Sequence, residues 1–120
     1  MKLNYFDLEE FDSPDIQNSG RLMDVSFLEM LDEARDIAEV PFIISSGYRS
    51  PAYNEKVGGV SNSSHLKGLA ADITCTESTE RFIIINSLLL AGFNRIGVGK
   101  TFIHVDNDPD KTSDVIWVYN

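Results

Sequence analysis

Two residues, Lys100 and Thr101, separate the apolar run Arg95–Gly99 from the run Phe102–Asp106. A link that short folds one strand back antiparallel on the other, because a parallel return needs a crossover of about a dozen residues or more. A third run, Val115–Tyr119, follows after a polar stretch. Helical patterns lie ahead of these strands. Phe27, Leu31, Ala34 and Ala38 recur at helical spacing, and Leu28 and Ile37 widen the stripe, so a helix is expected over Ser26–Glu39. Ser26 with Glu29 has the form of a capping box, and Pro41 stops the helix. Phe42–Ser45 reads as a short strand and Gly68–Thr74 as a buried one. A second helix, capped by Ser78 or Thr79, runs to Leu90 and closes at Gly92. Mixed elements with such short links predict an α+β fold, a small mainly antiparallel sheet with flanking helices.

The chain has 120 residues, enough for one domain, expected to span 1–120, with a single core and no repeat or linker. Nineteen acids against ten bases give a net charge of -9. That balance argues against a nucleic-acid partner, since such binding neutralises phosphates with Lys and Arg, and it offers no polybasic anchor for a membrane. The lone cysteine, Cys75, has no internal disulfide partner and fits a buried small hydrophobe. The start, MKLNYFDLEEFDSPD, lacks the basic and apolar regions of a signal peptide. The longest apolar stretch is interrupted by Asn86 and too short to span a bilayer. Synthesis in a cytoplasm and a monomeric state are the expectations.

The polar segment Tyr48–Lys67 carries Gly58-Gly59 and Ser61-Asn62-Ser63-Ser64, with a turn of helix expected at Pro51–Lys56. A loop of that length in a small domain is usually functional or disordered. It holds His65, one of only two histidines. Asp72 follows inside the apolar strand Ala70-Ala71-Asp72-Ile73, where a carboxylate is costly unless paired or bound to a metal. In Phe102–Asp106, strand alternation puts His104 and Asp106 on one face. Two neutral imidazoles and one carboxylate suit a tetrahedral zinc with a fourth position open to water. Equally, such His and Asp pairs hydrogen-bond to each other in ordinary sheets. Arg49, after a strand end, can offer a forked guanidinium to a substrate carboxylate or an oxyanion. Tyr48, Ser50, Asn54 and Ser64 are placed to line a substrate loop. Trp117 and Tyr119 alternate with Ile116 and Val118 as in a terminal strand with one face buried, and Trp117 is also placed to floor a cleft. Asp7–Glu10 reads as a solvated helix or turn face, and Asp106–Asp110 as an acidic turn without the spacing of a calcium loop.

The ordered blocks Ser45-Ser46-Gly47-Tyr48-Arg49-Ser50-Pro51, Ser63-Ser64-His65-Leu66-Lys67-Gly68-Leu69-Ala70-Ala71-Asp72 and His104-Val105-Asp106 resemble the D-alanyl-D-alanine carboxypeptidase family of zinc peptidases, particularly its small phage and prophage members. The middle block matches the S-x-H-x-x-G-x-A-x-D pattern at every fixed position, and the resemblance runs from about Phe6 to Trp117. It implies His65, Asp72 and His104 as zinc ligands. It also implies an α+β fold shared with the hedgehog signalling domain, and hydrolysis of stem peptides in bacterial peptidoglycan. The bond cut would be D-Ala-D-Ala, as in a carboxypeptidase, or L-Ala-D-Glu, as in an endopeptidase.

One departure stands out. Many members of that family carry an acidic general base three residues before the third ligand, where this chain has Thr101. Asp106 is the nearest replacement as acid/base, and it can instead hold an imidazole or add a ligand; Glu55 is a distant second. A zinc-containing binding or virion structural module without catalysis is the alternative reading. As a wall enzyme the protein would act after release, or as part of a phage particle, in the manner of an endolysin.

Overall fold

The sheet is organised around its fourth strand. In the computed structural model, which describes residues 1–120, β1 (Ile44–Ser46), β2 (Ala70–Thr74), β3 (Arg95–Val98), β4 (Phe102–Asp106) and β5 (Val115–Val118) run in the order β1-β2-β4-β3-β5. The pairs β1–β2, β2–β4 and β3–β4 are antiparallel, and only β5 lies parallel, beside β3. The β3–β4 hairpin closes where the Gly99 N–H donates to the Phe102 carbonyl at 2.9 Å. An α+β fold with a mainly antiparallel sheet is what the short links require.

Register then sorts the side chains. Ser46 pairs with Asp72, Asp72 with His104, His104 with Gly97, and Gly97 with Trp117, one row across five strands. The flanking rows, with Ala71, Ile73, Ile96, Ile103 and Val105, point to the opposite face and are fully buried. That face is covered by α1 (Val25–Ala38) and α3 (Ser78–Leu90), which pack on each other. Phe27, Leu28, Leu31 and Ala34 of α1 and Ile84 and Leu88 of α3 complete the core. Each buried large side chain contributes roughly 1.5–3 kcal/mol of transfer free energy. The helices hold one face of the sheet, so the polar row on the other face is left for a site.

Several local expectations are corrected. Helix α1 is capped by Asp24, whose carboxylate accepts from the Phe27 N–H at 2.9 Å, so Ser26 sits inside the first turn and the Ser26–Glu29 box does not form. Ile37 is exposed, and the apolar stripe is narrower than expected. Helix α3 follows Glu77 rather than Ser78 or Thr79, without a side-chain cap. The first strand is shifted to Ile44–Ser46, although Phe42 still enters the core. Gly68 lies outside β2, with φ 70, where it ends the turn Ser64–Lys67. The expected helix Pro51–Lys56 is present as α2, capped by Ser50. On β5 the apolar pair Ile116 and Val118 is exposed, whereas Trp117 turns towards the polar row. Helical turns at Leu8–Phe11 and Ser19–Leu22 have no periodic signal in the sequence. They are fixed by tertiary contacts: Phe11 is fully buried against Phe6, and its carbonyl accepts from the Tyr48 N–H at 2.9 Å. No helix is long and apolar enough to cross a membrane.

Replacing the Asp24 cap by alanine should cost about 1 kcal/mol of stability. Ser26→Ala should stay within about 0.5 kcal/mol of wild type, as exposed helical positions do. Urea unfolding midpoints check the pair, and a larger loss for Ser26→Ala would return the cap to Ser26.

Candidate metal centre

His65 stands on the turn Ser64–Lys67, which is pinned at its start by Ser63 Oγ accepting from the His65 N–H at 3.2 Å. The His65 carbonyl accepts from the Arg49 N–H at 3.1 Å, tying that turn to the chain leaving β1. The Gly47 carbonyl lies 2.7 Å from His65 Nδ1. A carbonyl only accepts, so Nδ1 carries the proton and the Nε2 lone pair is free. That nitrogen points at Asp72 Oδ1, 3.3 Å away. His104 has the opposite arrangement. Its Nε2–H donates to Asp106 Oδ2 at 2.7 Å, which frees Nδ1 to face the same Asp72 Oδ1 at 2.9 Å. Outer partners of this kind fix the tautomer and ring orientation of metal-binding histidines.

The three ligand atoms lie within 4.8 Å of one another, and all three residues are buried. With zinc bonds of about 2.0–2.2 Å, tetrahedral geometry sets its ligands roughly 3.3–3.6 Å apart, so the observed 3.3 and 2.9 Å need little adjustment. Two imidazole nitrogens and a carboxylate oxygen form a borderline donor set that suits zinc. The residues present fit the metal.

Burial alone would push the Asp72 carboxyl up, but the adjoining His104 and His65 rings, which donate to it when protonated in the metal-free site, outweigh burial and hold the group well below the usual carboxylate range. Burial likewise opposes the His104 cation, yet Asp106 and Asp72 raise its pKa. Asp106 is lowered because His104 and Arg95 outweigh its own burial.

The ligands floor a cleft of about 350 Å³ whose walls include Arg49, Arg95, Lys111, Trp117 and Tyr119. Arg49 is braced by Ser46 Oγ at 3.1 Å, Asn54 Oδ1 at 3.2 Å and Asp72 Oδ2 at 3.5 Å. Buried Asn54 is a brace and not a lining residue; its amide also donates to the Val60 carbonyl at 2.9 Å. The fold thus brings together His65, Asp72, His104, Asp106 and Arg49. It does not bring Tyr48, which packs against the core on the side opposite its neighbour Arg49. Ser64 lines the cleft, but its hydroxyl donates to Asp108 at 2.8 Å. Ser50 caps α2 and donates to Asp15. Glu55 is exposed on α2 away from the cleft, Thr101 lies at the hairpin turn, and Cys75 is buried.

Asp106 faces the far side of His104 from Asp72. Oδ2 accepts from the His104 Nε2–H, Oδ1 accepts from Arg95 Nε at 2.7 Å and from the Asp108 N–H at 3.1 Å, and the residue is 1% exposed. Both oxygens are occupied, so this geometry fits an aspartate that holds the imidazole better than one that takes a proton from water.

Sequence reasoning passed over Arg95, Asp108, Lys67 and Tyr119. The Arg95 guanidinium also donates to the Thr112 carbonyl and stacks 4.9 Å above the Trp117 ring. Counting back from the hairpin turn sets Arg95 opposite Asp106, a signal that was available. Asp108, 2% exposed, accepts from Ser64 and from Lys67 Nζ at 2.9 Å, which fastens the segment after β4 to the His65 turn.

Asp106→Asn should lower zinc affinity about 10–100-fold, in the range typical of lost outer partners, while His104→Ala should abolish site binding. Chelator competition reads both; an affinity for Asp106→Asn within twofold of wild type would remove the orienting role. The metal-free protein should have its thermal midpoint highest between about pH 4 and pH 6.5. The depressed Asp72 and Asp106 contribute stability that is present above the unfolded carboxylate pKa near 4 and lost as pH falls through their folded values. The raised His104 contributes stability that is full below about 6.5 and lost as pH rises through its folded value. Loading zinc, which needs neutral imidazoles, should move that maximum to higher pH.

The model of the peptidase M15 family matches residues 4–106. No curated protein matches the chain. The matched span carries His65, Asp72, His104, Asp106, Arg49 and Arg95 in the geometry described, and it covers most of the sequence. The chain belongs to the peptidase M15 family of peptidases.

Proposed function

We propose that this peptidase is a zinc enzyme that hydrolyses peptide bonds in peptidoglycan stem peptides, as a D-Ala-D-Ala carboxypeptidase or an L-Ala-D-Glu endopeptidase, in the manner of a phage or prophage endolysin. The observation that carries the reading is the convergence of His65 Nε2 and His104 Nδ1 on Asp72 Oδ1 at the floor of an open cleft, with Arg49 beside them. Zinc held there by His65, Asp72 and His104 would supply Lewis acidity and a water that is nucleophilic near neutral pH.

The remaining work belongs to the chain. Arg49, 17% exposed at its side chain and braced on three partners, presents a fixed guanidinium to a substrate carboxylate. Arg95 and Lys111 line the same cleft, where three cations with Arg49 face the two carboxylates Asp72 and Asp106, in a protein of net charge -9. Such a field favours an anionic substrate, and stem peptides carry free carboxylates. Asp106, fixed by Arg95, keeps His104 in the ligating tautomer. The protein acts as a monomer, outside the cell after release or carried in a phage particle.

One observation favours the second reading, a zinc-containing module without catalysis. The carboxylates lining the cleft are Asp72 and Asp106, and both are committed to the imidazoles. Elemental mass spectrometry with muropeptide digestion separates the two. The expected result is about one zinc per chain, lost in His65→Ala and His104→Ala, and release of either D-Ala or split L-Ala–D-Glu products by wild type alone. A zinc-loaded wild type that leaves muropeptides intact would establish the module. A folded protein that binds no zinc would overturn both.

A further inference from the structure

The cleft lacks a free carboxylate, yet it holds a phenolic hydroxyl on a rigid support. Tyr119 follows β5, and its backbone N–H donates to the Val98 carbonyl at 3.0 Å, so its position is locked to the end of β3. Its ring packs 5.1 Å from Phe102, 6.2 Å from Trp117 and 6.5 Å from His104, measured between centroids. Beneath it lies Gly97, the strand partner of His104. A Cβ there would stand 2.6 Å from Tyr119 Cε2 and 2.8 Å from the Trp117 indole. Only glycine lets the two rings lie across β3 towards the ligands. Tyr119 is 45% exposed, on the cleft wall; its hydroxyl oxygen accepts from the Trp117 indole, a donor only, which leaves the phenolic proton to be donated into the cleft.

We propose that Tyr119 is a catalytic residue whose phenol donates a hydrogen bond to the oxyanion formed when water adds to the scissile carbonyl. The inference rests on the peptidase reading. Water oxygen bonds to the amide carbon, the C=O π pair moves onto the carbonyl oxygen, and the Tyr119 O–H donates to that oxygen while keeping its own proton. On collapse the C–N bond breaks and the proton released by water leaves with the amine, so water and amide give acid and amine. A donor aimed where charge develops is the kind of group that stabilises such a transition state. Burial raises the phenol most; it outweighs the lowering hydrogen bond from the Trp117 indole and, with the Asp72 and Asp106 charges against Arg49, keeps the group protonated through the working range.

The test is Tyr119→Phe in the zinc-loaded protein. It keeps the ring on Gly97 and removes only the donor. Zinc affinity and thermal midpoint should match wild type. The kcat for muropeptide cleavage should fall about 100-fold with KM within threefold, in line with loss of one oxyanion donor. A second readout needs no turnover: calorimetric binding of a phosphinate analogue of D-Ala-D-Ala, a tetrahedral oxyanion mimic. Its affinity should drop at least tenfold in Tyr119→Phe, while that of free D-Ala stays unchanged. Equal phosphinate binding by both proteins, or muropeptide cleavage by Tyr119→Phe at the wild-type rate, would overturn the proposal. So would loss of zinc in the variant, which would make the residue structural. A wild type that fails to cleave muropeptides but binds phosphinate in a Tyr119-dependent way would defeat the choice of substrate and keep the assignment.

Discussion

The antiparallel register of β2 against β4 sets Asp72 across from His104, and the chemistry of the protein follows from that pairing. A slip of one residue would turn one of the two side chains into the hydrophobic core and bring Ile73 or Ile103 to the cleft. The register is held from the covered face, where Ala71, Ile73, Ile103 and Val105 are fully buried under two helices. The core therefore does more than stabilise. It acts as the ruler that keeps a carboxylate and an imidazole 2.9 Å apart on the other side of the sheet. His65 comes from a separate turn, and its alignment depends on backbone ties to Gly47 and Arg49.

Four carboxylates are buried in a chain already rich in acid; Asp32 is held by the Asn4 and Tyr5 N–H groups, and each of the other three has a cation from a different stretch of sequence. Asp72 meets Arg49, Asp106 meets Arg95 and Asp108 meets Lys67. Burying a carboxylate without such a partner costs several kcal/mol. The Arg95 pair is the most enclosed, with side chains 11% and 1% exposed. Lys67, 38% exposed, is screened by solvent and contributes less. These contacts also set position: they join the β1 exit, the His65 turn and the acidic segment after β4 into one frame around the cleft. Charge compensation and site geometry are here the same set of contacts.

Much of this was legible in residue order. The two-residue link at Lys100-Thr101 fixed a hairpin, and alternation placed His104 and Asp106 together. An aspartate inside Ala70-Ala71-Asp72-Ile73 announced a partner. What escaped has physical reasons. Asp24 and Ser26 are both good caps two residues apart, and their identities do not say that the helix starts after Asp24. The helical turns at Leu8–Phe11 and Ser19–Leu22 are too short to show a period. Tyr48 and Arg49 are adjacent, and which one faces the cleft depends on where β1 ends. Asp106 was placed on the correct face, but a face does not say which imidazole nitrogen it meets, and that detail separates a proton acceptor from a brace.

The two imidazoles are held by partners of different kinds. His65 leans on the Gly47 carbonyl, part of the main chain, whereas His104 leans on the carboxylate of Asp106. No single codon change can delete a peptide carbonyl, so the His65 half of the centre is shielded from mutation of its outer partner. The His104 half is adjustable, through Asp106 and through Arg95 behind it. Variation among natural relatives, or an engineer seeking weaker or tighter metal retention, therefore has one dial to turn, and it lies on the hairpin.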